Sequence, residues 1–162
     1  RAVHKINEHT ELASLDIYTM TSMTHQYKSK IENCKLCTLH DAIPQSKVFR
    51  EQENSDVLVF VESLDTKNQV ARLSFSTKIT DYISSKRCVF VIGQADNASV
   101  EYFKEQDAAI VCSDLNQIYS FLKQIVECPD ILTEYACKAE LCGVKNHSLE
   151  VIHDTLCKVL EL

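Results

Sequence analysis

Hydroxyl and cationic side chains cluster where one stretch, "RLSFSTKITDYISSKRCVFVIG" (Arg72–Gly93), begins a predicted helix. If Ser76 caps that helix, the backbone N–H groups of Thr77, Lys78 and Ile79 lack helical partners and lie at the positive end of the helix dipole. Such a position favours a phosphate oxygen. The side chains that could add hydroxyl donors or positive charge are Ser74, Ser76, Thr77, Lys78 and Arg72.

A carboxylate follows one turn into the same predicted helix. Ser74, Thr77 and Asp81 are spaced i, i+3 and i+7, which predicts one polar stripe. A carboxylate does not bind phosphate, but it accepts hydrogen bonds from paired sugar hydroxyls, so Asp81 suits a ribose attached to that phosphate. Ordinary helix capping is the alternative explanation for the cluster. The apolar stripe predicted opposite is Phe75, Ile79 and Ile83.

The elements that would position these residues alternate between strands and helices. Several strands are continuous apolar runs, which is typical of a parallel sheet covered on both faces. The runs at 57–61 and 88–92 are expected to be neighbouring interior strands of that sheet. The sequence therefore predicts an α/β fold with a Rossmann-like, doubly wound, mainly parallel sheet, in one domain over 1–162. Predicted strands cover 15–19, 35–41, 57–61, 88–92 and 108–112. Predicted helices cover 1–12, 25–33, 44–53, a segment capped by Ser76, 98–105, 115–127, 131–141 and a terminal helix at about 148–160.

Composition excludes several classes of protein. The 162 residues carry a formal charge of −6, which argues against a nucleic-acid binder with a broad basic surface. No apolar run approaches the roughly 20 residues of a membrane span, and "RAVHKINEHT" lacks the apolar core of a signal peptide. We expect a cytoplasmic protein.

The eight cysteines predict neither zinc nor disulfides. Cys34 and Cys37 form the one CxxC pair, and a structural zinc site needs four ligands. The other six are scattered through apolar segments, where a free cysteine behaves as a small hydrophobic residue. The expectation is therefore no metal and no cofactor.

Two motifs together resemble a known family. "SDVLVFVES" followed by "RLSFSTKITDYISSKRCVFVIG" resembles the C-terminal half of GT-B glycosyltransferases, specifically the large retaining group 1 (family 4) enzymes. The flanking segments "INEHTELASLDIYT" and "AIPQSKVFREQENSDVLV" are similar to earlier elements of that half. The resemblance implies a donor-binding half, with the acceptor half preceding it in a longer protein.

The resemblance also implies roles for individual residues. Asp81 would hold the ribose of a nucleotide-diphosphate sugar, and the amides near Ser76 and Thr77 its diphosphate. Lys78 or Arg72 would stabilise the leaving diphosphate electrostatically. The sugar nucleotide would be a substrate, and the acceptor would be a glycan or lipid-linked glycan of polysaccharide biosynthesis. The resemblance allows peripheral membrane association of the full enzyme, and the isolated half is expected to be inactive.

Two positions depart from the family pattern. Leu73 stands eight positions before Asp81, where the family often has a glutamate, so Glu62 is the candidate acid for the donor sugar. An ordinary solvated acid at a strand end is an equal explanation for Glu62. The usual Gly-Lys-Pro after the helix is replaced by Lys86, Arg87 and Cys88.

Two other classes of function stay open at this point. A non-catalytic Rossmann-like interaction or regulatory module is compatible with Leu73, because such a module does not need the sugar-binding acid. A flavodoxin-like receiver domain is disfavoured, since no suitable acidic pair follows a strand.

Overall fold

Parallel strands alternate with helices in the computed structural model, which describes residues 1–20, 27–29, 31, 33–65 and 67–160. Every strand pair in those residues is parallel, so the predicted α/β class is confirmed. The strands form two sheets, ordered β1-β2 and β3-β4-β5. Their bounds are β1 (Leu15–Thr19), β2 (Cys37–Asp41), β3 (Val57–Val61), β4 (Cys88–Ile92) and β5 (Ile110–Cys112).

The helices agree with the predicted segments in most places. Their bounds are α1 (Ala2–Ile6), α2 (Gln45–Glu53), α3 (Gln69–Leu73), α4 (Lys78–Ser84), α5 (Ala98–Glu105), α6 (Ile118–Glu127), α7 (Asp130–His147) and α8 (Leu149–Leu160), with a 3-10 turn at Leu115–Gln117. Residues 27–29 and 31 are helical, inside the helix predicted over 25–33. Positions 25, 26, 30 and 32 of that prediction lie outside the described residues.

The first helix is shorter than predicted because of one buried asparagine. The Asn7 side chain donates to the Ala13 carbonyl at 2.7 Å and accepts from the amides of Leu12 and Ala13 at 2.7 and 3.0 Å. These bonds fold residues 7–13 back on themselves, so α1 ends at Ile6 instead of continuing to Leu12.

The chain forms two compact units, and the first joins Arg1–Val48 to Leu115–Pro129. Within it β1 pairs with β2, and α1 packs against α6. The Lys5 ammonium lies 4.1 Å from the centre of the Tyr119 ring, a cation–π contact. The single domain expected over 1–162 stays a prediction.

The second unit joins Phe49–Asp114 to Asp130–Leu162 and contains the three-stranded sheet. Its central strand, β4, is buried over Cys88–Val91, as expected for a parallel sheet covered on both faces. One face of the sheet packs against α4, α5 and α7. The core side chains are Phe60, Ile79, Ile83, Val89, Val91, Val100, Phe103, Ala108, Ala109 and Cys142.

The apolar run of β3 is buried less than its sequence predicts. Among the described strands β3 is an edge of its sheet, and Val61 is 59% exposed. Leu58 and Phe60 are buried, whereas Val57 and Val59 are half-buried. The expectation that β3 and β4 are neighbours is therefore confirmed, whereas the expectation that β3 is an interior strand covered on both faces is wrong.

Candidate functional site

A cleft lies where β3 ends and α4 begins, at the carboxyl end of the sheet in the second unit. Its volume is about 260 Å³. Open α/β sheets usually bind their ligands at this end of the strands. Three residues predicted from the sequence, Glu62, Ser76 and Lys78, meet here. The described residues that line the cleft are Val59, Phe60, Val61, Glu62, Ser76, Lys78 and Tyr82.

Close packing beside Gly93 fixes the position of Glu62. The Glu62 amide donates to the Ile92 carbonyl at 2.9 Å, which continues the pairing of β3 with β4. A Cβ atom on Gly93 would lie 2.7 Å from a Val100 methyl group and 3.1 Å from the Glu62 Cβ. A side chain at position 93 would force the end of β3 and the start of α5 apart, so the glycine keeps Glu62 close to Val100.

The start of α4 differs from the predicted arrangement of free donors. The Ser76 hydroxyl accepts from the Lys78 amide at 3.4 Å, and the Ser76 carbonyl accepts from the Ile79 amide at 3.3 Å. Two of the three expected free N–H groups therefore have partners. The described residues supply no partner for the third, that of Thr77, whose own side chain makes no capping bond.

The predicted polar stripe is wrong at its first position. Ser74 ends α3 in extended backbone, and α4 begins only at Lys78, so Ser74 does not share a helix with Asp81. Thr77 and Asp81 are exposed at the start and first turn of α4.

The apolar stripe is likewise correct only within the helix. Ile79 and Ile83 are buried in the core, as predicted. Phe75 lies before the helix and packs edge-to-face on Tyr102, with 5.2 Å between the ring centres. It is therefore not part of that stripe.

The two predicted cations have different surroundings. Lys78 lines the cleft and makes no ion pair with any of the described residues. The Arg72 guanidinium instead pairs with Asp96 at 2.6 Å, and its Nε is buried without a partner among the described residues. Leu73, which stands in place of the family's glutamate, is 84% exposed on α3. Lys78 is therefore the better candidate for an anionic ligand.

Asp81 is not one of the described residues that line the cleft. The next residue, Tyr82, lines the cleft, and its hydroxyl donates to the Val59 carbonyl at 3.4 Å. Burial, and secondarily the Asp81 carboxylate, raises the pKa of Tyr82. Tyr82 thus stays a neutral hydrogen-bond donor near neutral pH.

Two buried polar residues that organise this region were not predicted from the sequence. Asn97 caps α5 and also donates to the Ala71 carbonyl at 2.7 Å. The Ser99 hydroxyl accepts from the Ser76 amide at 3.0 Å. Both link α5 to the segment before α4. The sequence "DNAS" signals a helix cap at Asn97, but it contains no sign that either side chain is buried.

The cysteines form neither a disulfide nor part of a metal-binding cluster within the described residues. All eight are free thiols. Burial, followed by the adjacent Cys34 thiol, raises the pKa of Cys37 to about 11, which keeps it protonated and unreactive at neutral pH. No group of three or more His, Cys, Asp or Glu side chains in the described part of one chain is placed to hold a metal ion. The expectation of no metal stays a prediction.

Comparison with known proteins does not assign the chain to a family. No protein-family model matches it, and no curated protein matches it. In the part of the chain that the structure describes, no helix has the length and apolar character needed to cross a membrane. The resemblance to glycosyltransferases therefore depends on the sequence motifs alone.

Proposed function

We propose that the chain is the donor-binding half of a glycosyltransferase and binds a nucleotide-diphosphate sugar at the β3 cleft. The observation that carries this proposal is the meeting of Glu62, Ser76 and Lys78 in one cleft at the carboxyl end of a parallel strand. Binding pockets for small molecules usually measure about 300–1,000 Å³. A cleft of about 260 Å³ suits the diphosphate and the sugar, with the nucleoside lying outside it.

Lys78 is assigned to the diphosphate. It is the cation among the described residues that line the cleft, and the neighbouring amide in the chain, that of Thr77, has no partner among those residues. Bond cleavage would place negative charge on the leaving diphosphate, and a fixed cation there stabilises that charge. The acceptor would be a glycan or lipid-linked glycan held by another part of the protein, so this chain alone is expected to bind and not to turn over.

The two acids are assigned to hydroxyl groups. Glu62 lines the cleft and would accept hydrogen bonds from the donor sugar. Asp81 is three residues after Lys78 on the exposed side of α4, where i and i+3 side chains are neighbours. A nucleotide whose diphosphate contacts Lys78 would bring its ribose towards Asp81.

Titration of nucleotides tests this function directly. UDP, GDP and ADP would be added to the 15N-labelled chain at up to millimolar concentration, and amide shifts would be followed by NMR. We expect shifts around Ser76, Thr77 and Lys78 for at least one nucleotide. Lys78→Ala should weaken binding roughly ten- to a hundredfold, because a hydrogen bond to a charged group contributes about 1.5–3 kcal/mol.

Lys104→Ala is the matched control. Lys104 is also an exposed lysine, but it lies in the last turn of α5, away from the cleft. Its loss should leave nucleotide binding unchanged. Equal weakening by the two variants would mean that only overall charge matters and that Lys78 has no specific role.

The second candidate function is a non-catalytic interaction or regulatory module. Two observations favour it: Ser76 engages two backbone donors at the start of α4, and α3 exposes the apolar side chains of Val70 and Leu73. The absence of any response to millimolar concentrations of all three nucleotides would favour this module over the donor-binding half.

A further inference from the structure

Two cysteines lie at the two ends of one tight turn in the first unit. The Cys37 amide donates to the Cys34 carbonyl at 3.1 Å, so residues 34–37 form a β-turn. Leu36 has a φ of 65°, the positive value that the third residue of a type II turn adopts. Such a turn brings its first and last Cα atoms within about 7 Å of each other. A disulfide usually joins Cα atoms about 4.4–6.8 Å apart, so this backbone suits one.

The two thiols are also in side-chain contact. The side chains of Cys34 and Cys37 are hydrogen-bonded to each other, so both leave the backbone on the same side of the turn. Cysteines whose side chains point apart cannot be bridged without movement of the backbone, and this pair does not have that obstacle. Both are half-buried free thiols, which leaves them partly accessible from solvent.

Two contacts with the segment around the start of β1 hold the turn in place. The Leu36 carbonyl accepts from the Leu15 amide, the first of β1, at 2.8 Å. The Lys35 ammonium pairs with the Glu11 carboxylate at 2.6 Å. The turn then leads directly into β2, which begins at Cys37 and pairs with β1. These attachments keep the two sulfur atoms close together in the folded chain.

The two cysteines are suited to different roles. Cys34 lies in the bend before β2, whereas Cys37 is the first residue of that strand. Burial, followed by the hydrogen bond with Cys34, raises the pKa of Cys37 to about 11, so Cys37 holds its proton near neutral pH. A protonated neighbour stabilises a thiolate by hydrogen bonding, and the thiolate is the attacking form in thiol exchange. Cys34 is therefore the candidate nucleophile.

The place of the pair in the chain favours reversible exchange over a permanent crosslink. The helical residues 27–29 and 31 lie between the parallel strands β1 and β2, so the pair ends the connection of a strand–helix–strand unit. In a cytoplasmic protein, which the sequence predicts, a CxxC pair beside such a unit is typical of a redox site. The free thiols are the reduced form of this site.

We propose that Cys34 and Cys37 form a redox-active dithiol that reduces low-molecular-weight disulfides. The Cys34 thiolate attacks one sulfur of the external disulfide, whose S–S bond breaks as the first thiol leaves. Cys37 then attacks the Cys34 Sγ, and the bond from Cys34 to the external sulfur breaks as the second thiol leaves. Two electrons pass to the external disulfide, and its two sulfur atoms take up two protons in place of those that the cysteines release.

The first step prepares Cys37 for the second. A Cys34 sulfur that is bonded to an external sulfur carries no negative charge, so the repulsion that helps to keep Cys37 protonated is removed. Cys37 then loses its proton more readily and attacks as a thiolate. This site does not depend on the nucleotide-binding proposal, because every residue of it lies in the first unit.

Equilibration with glutathione tests the pair. The chain would be incubated in mixtures of reduced and oxidised glutathione, quenched with acid, alkylated and digested with trypsin without reduction. Trypsin cleaves after Lys30, Lys35 and Lys47, so a disulfide between the two cysteines links peptide 31–35 to peptide 36–47. Mass spectrometry measures the linked peptides and the alkylation of the other six cysteines.

We expect the linked peptides to form at a ratio [GSH]²/[GSSG] roughly tenfold or more above that at which any other cysteine is oxidised. Addition of reduced glutathione should restore both thiols. In concentrated urea the ratio at half-oxidation should fall roughly tenfold, because the unfolded chain does not hold the two thiols together. Prior oxidation of other cysteines, no linked peptides, or the same midpoint in urea would each overturn the proposal.

Variants test the role of each cysteine. Cys37→Ser should accumulate one glutathione on Cys34, because no second thiol is present to release it. Cys34→Ser should leave Cys37 largely unmodified under the same conditions. Cys137→Ser, at an exposed cysteine on α7, is the control and should form the linked peptides as the wild type does. Accumulation of glutathione on Cys37 instead, or loss of the linked peptides in the control, would contradict the mechanism.

Discussion

The starts of α4 and α5 are built from the same kinds of residue but use them differently. Asn97, which is 1% exposed, caps α5 by accepting from the Ser99 and Val100 amides at 2.9 and 3.3 Å. Its side-chain amide is also engaged, so this cap is closed inside the protein. At α4, Thr77 is exposed and does not cap, and Ser76 lines a cleft while it accepts from the first helical amide.

This difference indicates that burial, and not residue type, distinguishes a structural helix cap from a candidate binding site. Both segments combine Ser, Thr or Asn with a following helix, and either could attract an anion. Two amides at the start of α5, those of Ser99 and Val100, are engaged by a buried side chain. The start of α4 keeps one amide, one hydroxyl and one lysine beside open space.

If a buried cap contributes more than an exposed one, the largest loss of stability should come from Asn97→Ala. The change leaves two α5 amides without their partner and leaves the Ala71 carbonyl with only the Ser74 amide, at 3.4 Å. A buried polar group left unpaired costs about 1–3 kcal/mol, so we expect the free energy of unfolding to fall by about 3–4 kcal/mol. Urea denaturation followed by circular dichroism measures it.

Asn68→Ala is the matched control for that prediction. Asn68 caps α3 but is exposed, and its side chain accepts only from the Ala71 amide, at 3.1 Å. Its loss should cost about 1 kcal/mol, as for an ordinary cap. Equal losses for the two asparagines would show that the burial of Asn97 adds nothing.

Ser99→Ala should have the next largest effect, because Ser99 connects the two helix starts. Its hydroxyl accepts from the Ser76 amide and donates to the Ser74 carbonyl at 3.4 Å. We expect a loss of about 1–2 kcal/mol in stability together with weaker nucleotide binding, since Ser76 loses its anchor. Ser84→Ala, at an exposed serine of α4, should change neither. Unchanged nucleotide binding in Ser99→Ala would show that the cleft does not depend on its link to α5.

Much of the fold follows from local patterns in the sequence. The apolar runs predicted β3 and β4 to the residue, and the helix predicted over 98–105 matches α5. The C-terminal end of α1 could not be predicted, because it depends on hydrogen bonds from Asn7 to residues five and six positions later. The edge position of β3 depends on which strands pair, and that information is not local.

The sequence predicted which residues form the candidate site better than it predicted how they are arranged. Glu62, Ser76 and Lys78 were identified and do meet in one cleft. The pairing of Arg72 with Asp96 and the extended backbone at Ser74 were missed, since both depend on how α3 sits beside the α5 start. A helical spacing rule fails wherever the helix begins later than its sequence suggests.

Substitution of either acid of the candidate site should weaken its ligand about tenfold, which corresponds to about 1.4 kcal/mol in binding free energy. Asp81→Asn should weaken UDP and UDP-sugar equally, because both contain the ribose. Glu62→Gln should weaken only the UDP-sugar, because UDP lacks the sugar that Glu62 contacts. Another base would be used if the chain prefers GDP or ADP. Isothermal titration of both variants measures this, and a reversed pattern would exchange the two roles.

The smallest effect on stability is expected from a change of pH, through the contact of His147 with Tyr102 on α5. Burial lowers the pKa of His147, whose Nε2 lies 2.6 Å from the hydroxyl of Tyr102 on α5. Burial also raises the pKa of Tyr102 to about 12, so the phenol stays a donor and the neutral imidazole accepts. Below pH about 6.5 the unfolded chain binds a proton at His147 more readily than the folded chain does, so stability should fall as pH is lowered from 7.5 to 5.

Urea midpoints should differ less between these pH values in His147→Gln than in the wild type or in His9→Gln, at an exposed histidine. Asn97 carries no titratable group, so the Asn97→Ala loss should be equal at both pH values. A pH dependence that survives in His147→Gln would assign it to other groups.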